Sequence, residues 1–135
     1  MQTSELTAAD RELIGEAEAV LEKRHVPVRH RCSAALRMTS GNVYTGINLI
    51  TGGQPDVHSE PVALGRAATA GESEVETSVA IVYEEDDASN PMRVISACGV
   101  CRELLHTFSP DADIIIPGDD APVKAPLSEL LPAKG

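Results

Sequence analysis

What the 135-residue chain has least of is aromatic surface: no tryptophan, one phenylalanine and two tyrosines. Aromatic side chains are good platforms for a flat ligand, so a ring-binding pocket here must be built from aliphatic residues, histidine or a neighbouring subunit. Basic residues are also few. Eleven lysines and arginines stand against twenty-one acids, a formal net charge of −10, and phosphate backbones are held by basic surfaces. This argues against nucleic acid as a partner and for a small, free substrate. No apolar run approaches the roughly 20 residues of a membrane span, and Met1 to Leu6 has no basic region followed by an apolar core. A cytoplasmic protein without membrane attachment is expected. Three cysteines, two of them in one C-x-x-C, make no disulfide framework.

What is present suits one α/β domain over 1–135, long enough for a real core and too short for two. Thr7-Ala8-Ala9-Asp10 reads as a capping box with Asp in place of Glu or Gln. Leu13, Ile14, Ala17, Val20 and Leu21 then follow at helical spacing to about Arg24. Cys32 to Met38 and Val43 to Leu49 read as a hairpin about Ser40-Gly41-Asn42. The segment from Ile50 to Val57, with Gly52-Gly53 and Pro55, is a loop leading into His58. A helix rich in small residues follows to about Ala70, able to pack closely against the sheet or a second copy of itself. Val75 to Tyr83 is a buried-type strand, and Glu84-Glu85-Asp86-Asp87 a solvated tip. Met92 to Ile95 is a strand running into a cysteine turn and a helix to about Phe108, and Ile114-Ile115-Ile116 is a further strand. Leu127 to Leu131 reads as a short last helix. Strands alternating with helices in the second half imply crossovers and a partly parallel sheet.

The chemistry gathers at two helix starts. Cys98 and Cys101, at i and i+3, fall on one side of a helix turn whose free N–H groups favour thiolate. His58 as a third ligand would leave one tetrahedral position of a zinc ion open for water, as in catalytic rather than structural sites. Glu60, two residues on, is placed to handle protons on that water. Alternatives stand beside this. Strand, C-x-x-C and helix also describe a thioredoxin-like redox motif, although that leaves His58 and Glu60 without a task. A structural zinc would need a fourth ligand, with His25, His30, His106 and Cys32 to choose from. His106 is more simply a helix C-terminal histidine, and Cys32 a buried core thiol. A binder that does not turn its ligand over is a third possibility, against which the retained Glu60 argues.

The H-x-E and C-x-x-C set resembles the signature of zinc nucleobase deaminases, and the chain is similar to their small members, the cytidine and blasticidin-S deaminases, over residues 30–132. Val43-Tyr44-Thr45-Gly46-Ile47-Asn48 resembles the family strand ending in G-x-N. Thr51-Gly52-Gly53, Leu64-Gly65 and Glu129-Leu130-Leu131-Pro132 look more like the blasticidin-S branch. The resemblance implies a three-layer α/β/α fold with a mixed five-stranded sheet, and a homotetramer whose active sites borrow residues from neighbours. It implies Zn²⁺ on His58, Cys98 and Cys101, and hydrolytic deamination of an amino-substituted pyrimidine-like ring with Glu60 as general base. Asn48 would contact a nucleoside sugar, and the backbone of Ser59 and Ser96 the ring carbonyl and amino group. His30 stands where cytidine deaminases usually carry a pocket phenylalanine.

The chain departs from that pattern at four places. Ile50 replaces a glutamate that binds the ribose, Ala97 replaces proline, Ser59 replaces alanine, and the chain ends at Ala133-Lys134-Gly135 without a closing aromatic. Cytidine, deoxycytidine, blasticidin S and other aminated rings such as a pterin or triazine all stay open as substrates.

Overall fold

The structure, a computed structural model, describes residues 2–52 and 56–132. Readings that rest on Gly53, Pro55 and Ala133-Lys134-Gly135 lie outside the described residues.

Helix α1 (Ala8–Arg24) starts at the expected capping box: Asp10 N–H donates to Thr7 Oγ1 at 3.1 Å and Thr7 N–H to Asp10 Oδ2 at 3.0 Å. Its buried residues Leu13, Ala17 and Leu21 recur every four positions, which lines one stripe of the helix against a sheet. Strands β1 (Cys32–Met38) and β2 (Val43–Ile47) form an antiparallel hairpin turning at Gly41, whose φ of +94° is accessible to glycine at little cost. Helix α2 (Ser59–Thr69) leads to β3 (Val75–Tyr83), buried along most of its length. After β4 (Met92–Ile95) come α3 (Gly99–Phe108), β5 (Asp113–Ile116), β6 (Val123–Pro126) and a 3₁₀ turn over Leu127–Leu130.

The sheet runs β2-β1-β3-β5-β6, with β4 paired to the end of β3. It is mixed, since β3 and β5 are parallel and every other pair antiparallel. It has six strands rather than the expected five. The additional one, β6, is a four-residue edge strand ending in Pro126, and a proline-flanked segment of that length carries no strand signal of its own. Its pairing with β5 creates it.

Alternation along the strands divides the core in two. Ala35, Val79, Ile81 and Ile115 meet α1 on one face. Ala34, Leu36, Met38, Ile114 and Ile116 meet Ala63, Leu64 and Ala67 of α2 and Leu105 of α3 on the other. The layers are therefore helix, sheet, helix, and α2 and α3 lie on the same side.

The small residues of α2 serve the sheet. A Cβ added at Gly46 in β2 would lie 2.5 Å from Ala63 N and 2.7 Å from Ser59 O, so strand and helix meet backbone to backbone. Ala63 and Ala67 are fully buried there, while Gly65 and Ala68 face outward. This contact seats the first turn of α2, where the candidate chemistry begins.

Candidate metal centre and its cavity

His58 and Cys98 are the N-cap residues of α2 and α3, both extended and neither making a side-chain cap bond, which leaves imidazole and sulfur free to face each other. His58 Nδ1 lies 3.2 Å from Cys98 Sγ and 3.3 Å from Cys101 Sγ. All three ligand atoms fall within 4.8 Å of one another. Tetrahedral zinc, with nitrogen at about 2.0 Å and sulfur at about 2.3 Å, would set such N···S pairs roughly 3.5 Å apart. The donor set therefore fits one zinc ion with little adjustment.

Electrostatics give the same answer. Burial pushes the Cys101 thiol far above its ordinary range, and the nearby Glu60 carboxylate and Cys98 sulfur push the same way. The helix N-terminus alone therefore does not produce the thiolate expected of Cys101. Two sulfurs and a carboxylate pointed together, with no lysine or arginine bonded to them among the described residues, are an arrangement that a cation completes. One imidazole nitrogen close to both sulfurs also suits a shared ion better than a dithiol couple.

Glu60 is only 4% exposed and accepts a hydrogen bond from Ser59 Oγ at 3.1 Å. It opens onto a cavity of about 240 Å³, a little below the usual size range of drug-sized ligand sites. Of the residues expected here, Asn48, His58, Ser59, Glu60, Ser96 and Cys98 line the cavity, while Cys101 is buried behind it. Asn48 Oδ1 accepts from the N–H groups of Arg31 (2.8 Å) and Cys32 (3.0 Å), which fixes its amide and leaves Nδ2 as the free donor end. Ser96 Oγ accepts from Arg102 Nη2 at 2.7 Å, and Arg102 Nη1 donates to Leu130 O, so the turn before Cys98 is tied to the 3₁₀ segment. His30 stands outside the lining. Its Nδ1 donates to Asn48 O at 2.8 Å, so it braces Asn48 from behind.

The loop from Ile50 to Val57, expected from the sequence to form part of the pocket wall, does so through Ile50, Asp56 and Val57, whereas Cys32 and Ile95 line the cavity without having been read as part of it. Cys32 is half-buried at the cavity and not a sealed core thiol. It shares the α2-facing side of β1 with Ala34 and Leu36, but at the strand end, beside the point where α2 begins. Burial raises its thiol pKa and the Glu60 charge adds to the shift. Asp56 reaches the cavity because Leu49 and Val57 bridge the base of their loop with N–H···O bonds of 2.8 and 2.9 Å. Alternation could have flagged Cys32. The loop signal places Asp56 at the pocket wall without singling out its side chain.

No protein-family model matches the chain. Blasticidin-S deaminase of Bacillus cereus is 29% identical over 136 residues, covering 99% of this chain and 97% of that protein. Among solved structures, cytidine deaminase from Bacillus anthracis superposes with a TM-score of 0.75 at 24% identity, covering 89% of this chain and 84% of that one. Cytidine deaminase from Mycobacterium leprae gives 0.73 at 18% identity, covering 91% and 97%. The structural likenesses carry the fold; the sequence relative runs the length of the chain.

Proposed function

We propose that this chain, similar along its length to a blasticidin-S deaminase and in fold to cytidine deaminases, is a member of the cytidine deaminase-like superfamily and a zinc-dependent hydrolytic deaminase of a small amino-substituted, pyrimidine-like ring, releasing ammonia. The observation that carries this reading is the grouping of one imidazole nitrogen and two sulfurs beside a buried carboxylate, at the wall of a small cavity. His58, Cys98 and Cys101 would hold the ion, and two thiolates with a neutral imidazole balance its double charge. A zinc ion in that position supplies Lewis acidity, lowering the pKa of water toward neutrality.

The chain's own residues supply the rest. Glu60, steered by Ser59 Oγ, takes a proton from water as general base. Oxygen adds to the ring carbon bearing the amino group, Glu60 delivers that proton to the ring nitrogen, and it then takes the remaining proton of the added hydroxyl and passes it to the amine as the carbonyl forms. The C–N bond breaks and ammonia leaves. The backbone of Ser59, at the free N–H end of α2, would hold the ring carbonyl, and that of Ser96 the amino group. Asn48 Nδ2 faces the substituent on the ring, and His30 keeps Asn48 in position.

The same reading includes a single domain over 1–135, a cytoplasmic location in which the thiols stay reduced, a small-molecule substrate in place of nucleic acid, and assembly as a homotetramer. Among the described residues no helix is long and apolar enough to cross a membrane. The test combines elemental analysis with a screen for ammonia release over cytidine, deoxycytidine, blasticidin S, a pterin and a triazine. Near-stoichiometric zinc with turnover of a pyrimidine-like ring is expected. Metal-free protein with a reversible Cys98–Cys101 disulfide would refute the assignment.

A further inference from the structure

We propose that the Ser59 hydroxyl is a positioning group for the general base, holding Glu60 Oε1 and leaving Oε2 as the one oxygen that carries protons between water and ring. This rests on the reading of the site as a hydrolytic deaminase and adds to it a residue at which the chain departs from the pattern it resembles. That pattern has alanine between the histidine and the glutamate, a side chain that donates nothing. Here a hydroxyl stands in its place and donates to Glu60 Oε1 at 3.1 Å.

Both residues lie in the first turn of α2 and are withdrawn from water, Ser59 at 1% and Glu60 at 4% exposed. Successive residues on a helix do not ordinarily face each other. A bond between them therefore means that both side chains turn to a common side, and both line the cavity. A hydroxyl has one proton to give, and that of Ser59 goes to Glu60. The hydroxyl is also carried on main chain that has little room to move. Ser59 O lies against β2 at Gly46, where an added Cβ would be 2.7 Å away.

Glu60 needs such a holder because its other neighbours would move it. The carboxylate is close enough to Cys101 to push that thiol up, and its charge reaches Cys32 as well. When Cys98 and Cys101 are thiolates, sulfur and carboxylate repel each other. A bound cation pulls the opposite way, toward the open ligand position that water must keep. Glu60 stands outside the group of ligand atoms formed by His58, Cys98 and Cys101, and among the described residues no cation is bonded to it. A long, flexible side chain between these two forces keeps a fixed place only if something neutral ties it down. The Ser59 bond does this without neutralising the charge that a base requires, and it leaves one carboxylate oxygen for the proton.

The test measures ammonia release by the zinc-loaded protein on whichever of cytidine, deoxycytidine, blasticidin S, a pterin and a triazine turns over fastest. Ser59→Ala should lower kcat about 10- to 100-fold, the worth of one hydrogen bond to a charged group, with KM within about twofold and zinc still near one per chain. A serine that only packs the turn would lower zinc content, or would cost kcat the same factor whether or not Glu60 is present. Combining Ser59→Ala with Glu60→Gln separates these roles. The double variant should fall no further than Glu60→Gln alone, because the hydroxyl acts only through that carboxylate. A second readout needs no turnover: in the infrared difference between the protein and Glu60→Gln, the carboxylate stretching bands of Glu60 should move on Ser59→Ala. An unchanged kcat in Ser59→Ala, equal losses in the two backgrounds, or unmoved bands would each overturn the proposal. Turnover accompanied by any of these leaves the deaminase reading standing without Ser59, whereas no ammonia from any of the five compounds removes both.

Discussion

Asp10 and Glu60 are both carboxylates at the start of a helix, and both are withdrawn from water, at 0% and 4% exposed. Their company differs. Asp10 takes a hydrogen bond from the Thr7 N–H at 3.0 Å, from Arg37 Nη2 at 2.8 Å, and sits 2.9 Å from Lys124 Nζ. Burial alone would raise its pKa, but the Thr7 N–H and the two cations outweigh burial and hold the carboxyl well below the usual carboxylate range. Glu60 has a serine hydroxyl and faces two sulfurs. A buried charge is tolerated when it is paired or coordinates a metal. Asp10 has its pairing within the chain and ties α1 to β1 and β6. Glu60 has no cation bonded to it among the described residues, which is what the proposed chemistry asks of it and what separates it from a fastening.

Substitutions can separate the two. The largest effect is expected from Cys101→Ser, which removes one of three donors: zinc content should fall from near one per chain to near zero, measured by elemental analysis, with turnover lost alongside. Glu60→Gln should keep the zinc and lower kcat by about 10²- to 10⁴-fold, the usual worth of a general base; ammonia release near the wild-type rate would remove Glu60 from the chemistry. Asp10→Asn should do the opposite, costing roughly 3–5 kcal/mol in urea unfolding, as for breaking a buried ion pair, while zinc content and kcat per folded molecule hold.

The pH dependence sharpens this further. A carboxyl whose pKa is lower in the folded state contributes stability above its unfolded value of about 3.9, lost as pH falls through the folded value. The acid limb of a stability profile from pH 5 to 2 should therefore be shallower in Asp10→Asn. The smallest effect is expected from Gly46→Ala. Overpacking against α2 should cost about 1–3 kcal/mol and, by moving the first turn of that helix, reduce kcat more than it disturbs the Asp10 cluster.

The parts of the molecule legible in sequence are those whose signal is local. β1, β3 and β4 have the expected limits because mostly apolar runs, β-branched in β3 and β4, are bounded by turn residues. The capping box of α1 shows in four residues. The expectation of a strand to Leu49 overshoots, since β2 ends at Ile47 and Asn48 turns its side chain onto the N–H groups of Arg31 and Cys32. That His58, Cys98 and Cys101 come together was readable because zinc chemistry demands particular residue types at helix starts, and the fold does bring the three together. The rest depends on pairing across the chain. β6 exists through β5, Cys32 meets the cavity through where α2 begins, and Asp56 through a bridge between Leu49 and Val57. Of these, only the side of β1 on which Cys32 lies leaves a mark within a short window.

Gly46 gives the site a mechanical property as well as a place. Elsewhere in the core, side chains lie between helix and sheet and can change rotamer to absorb a small displacement. Between Gly46 and the Ser59–Ala63 turn only main chain intervenes, so there is no compliant layer. Any shift of the β2 edge is passed undiminished to His58 and Glu60, and the precision with which imidazole, sulfur and carboxylate converge is inherited from the stiffness of a hydrogen-bonded sheet.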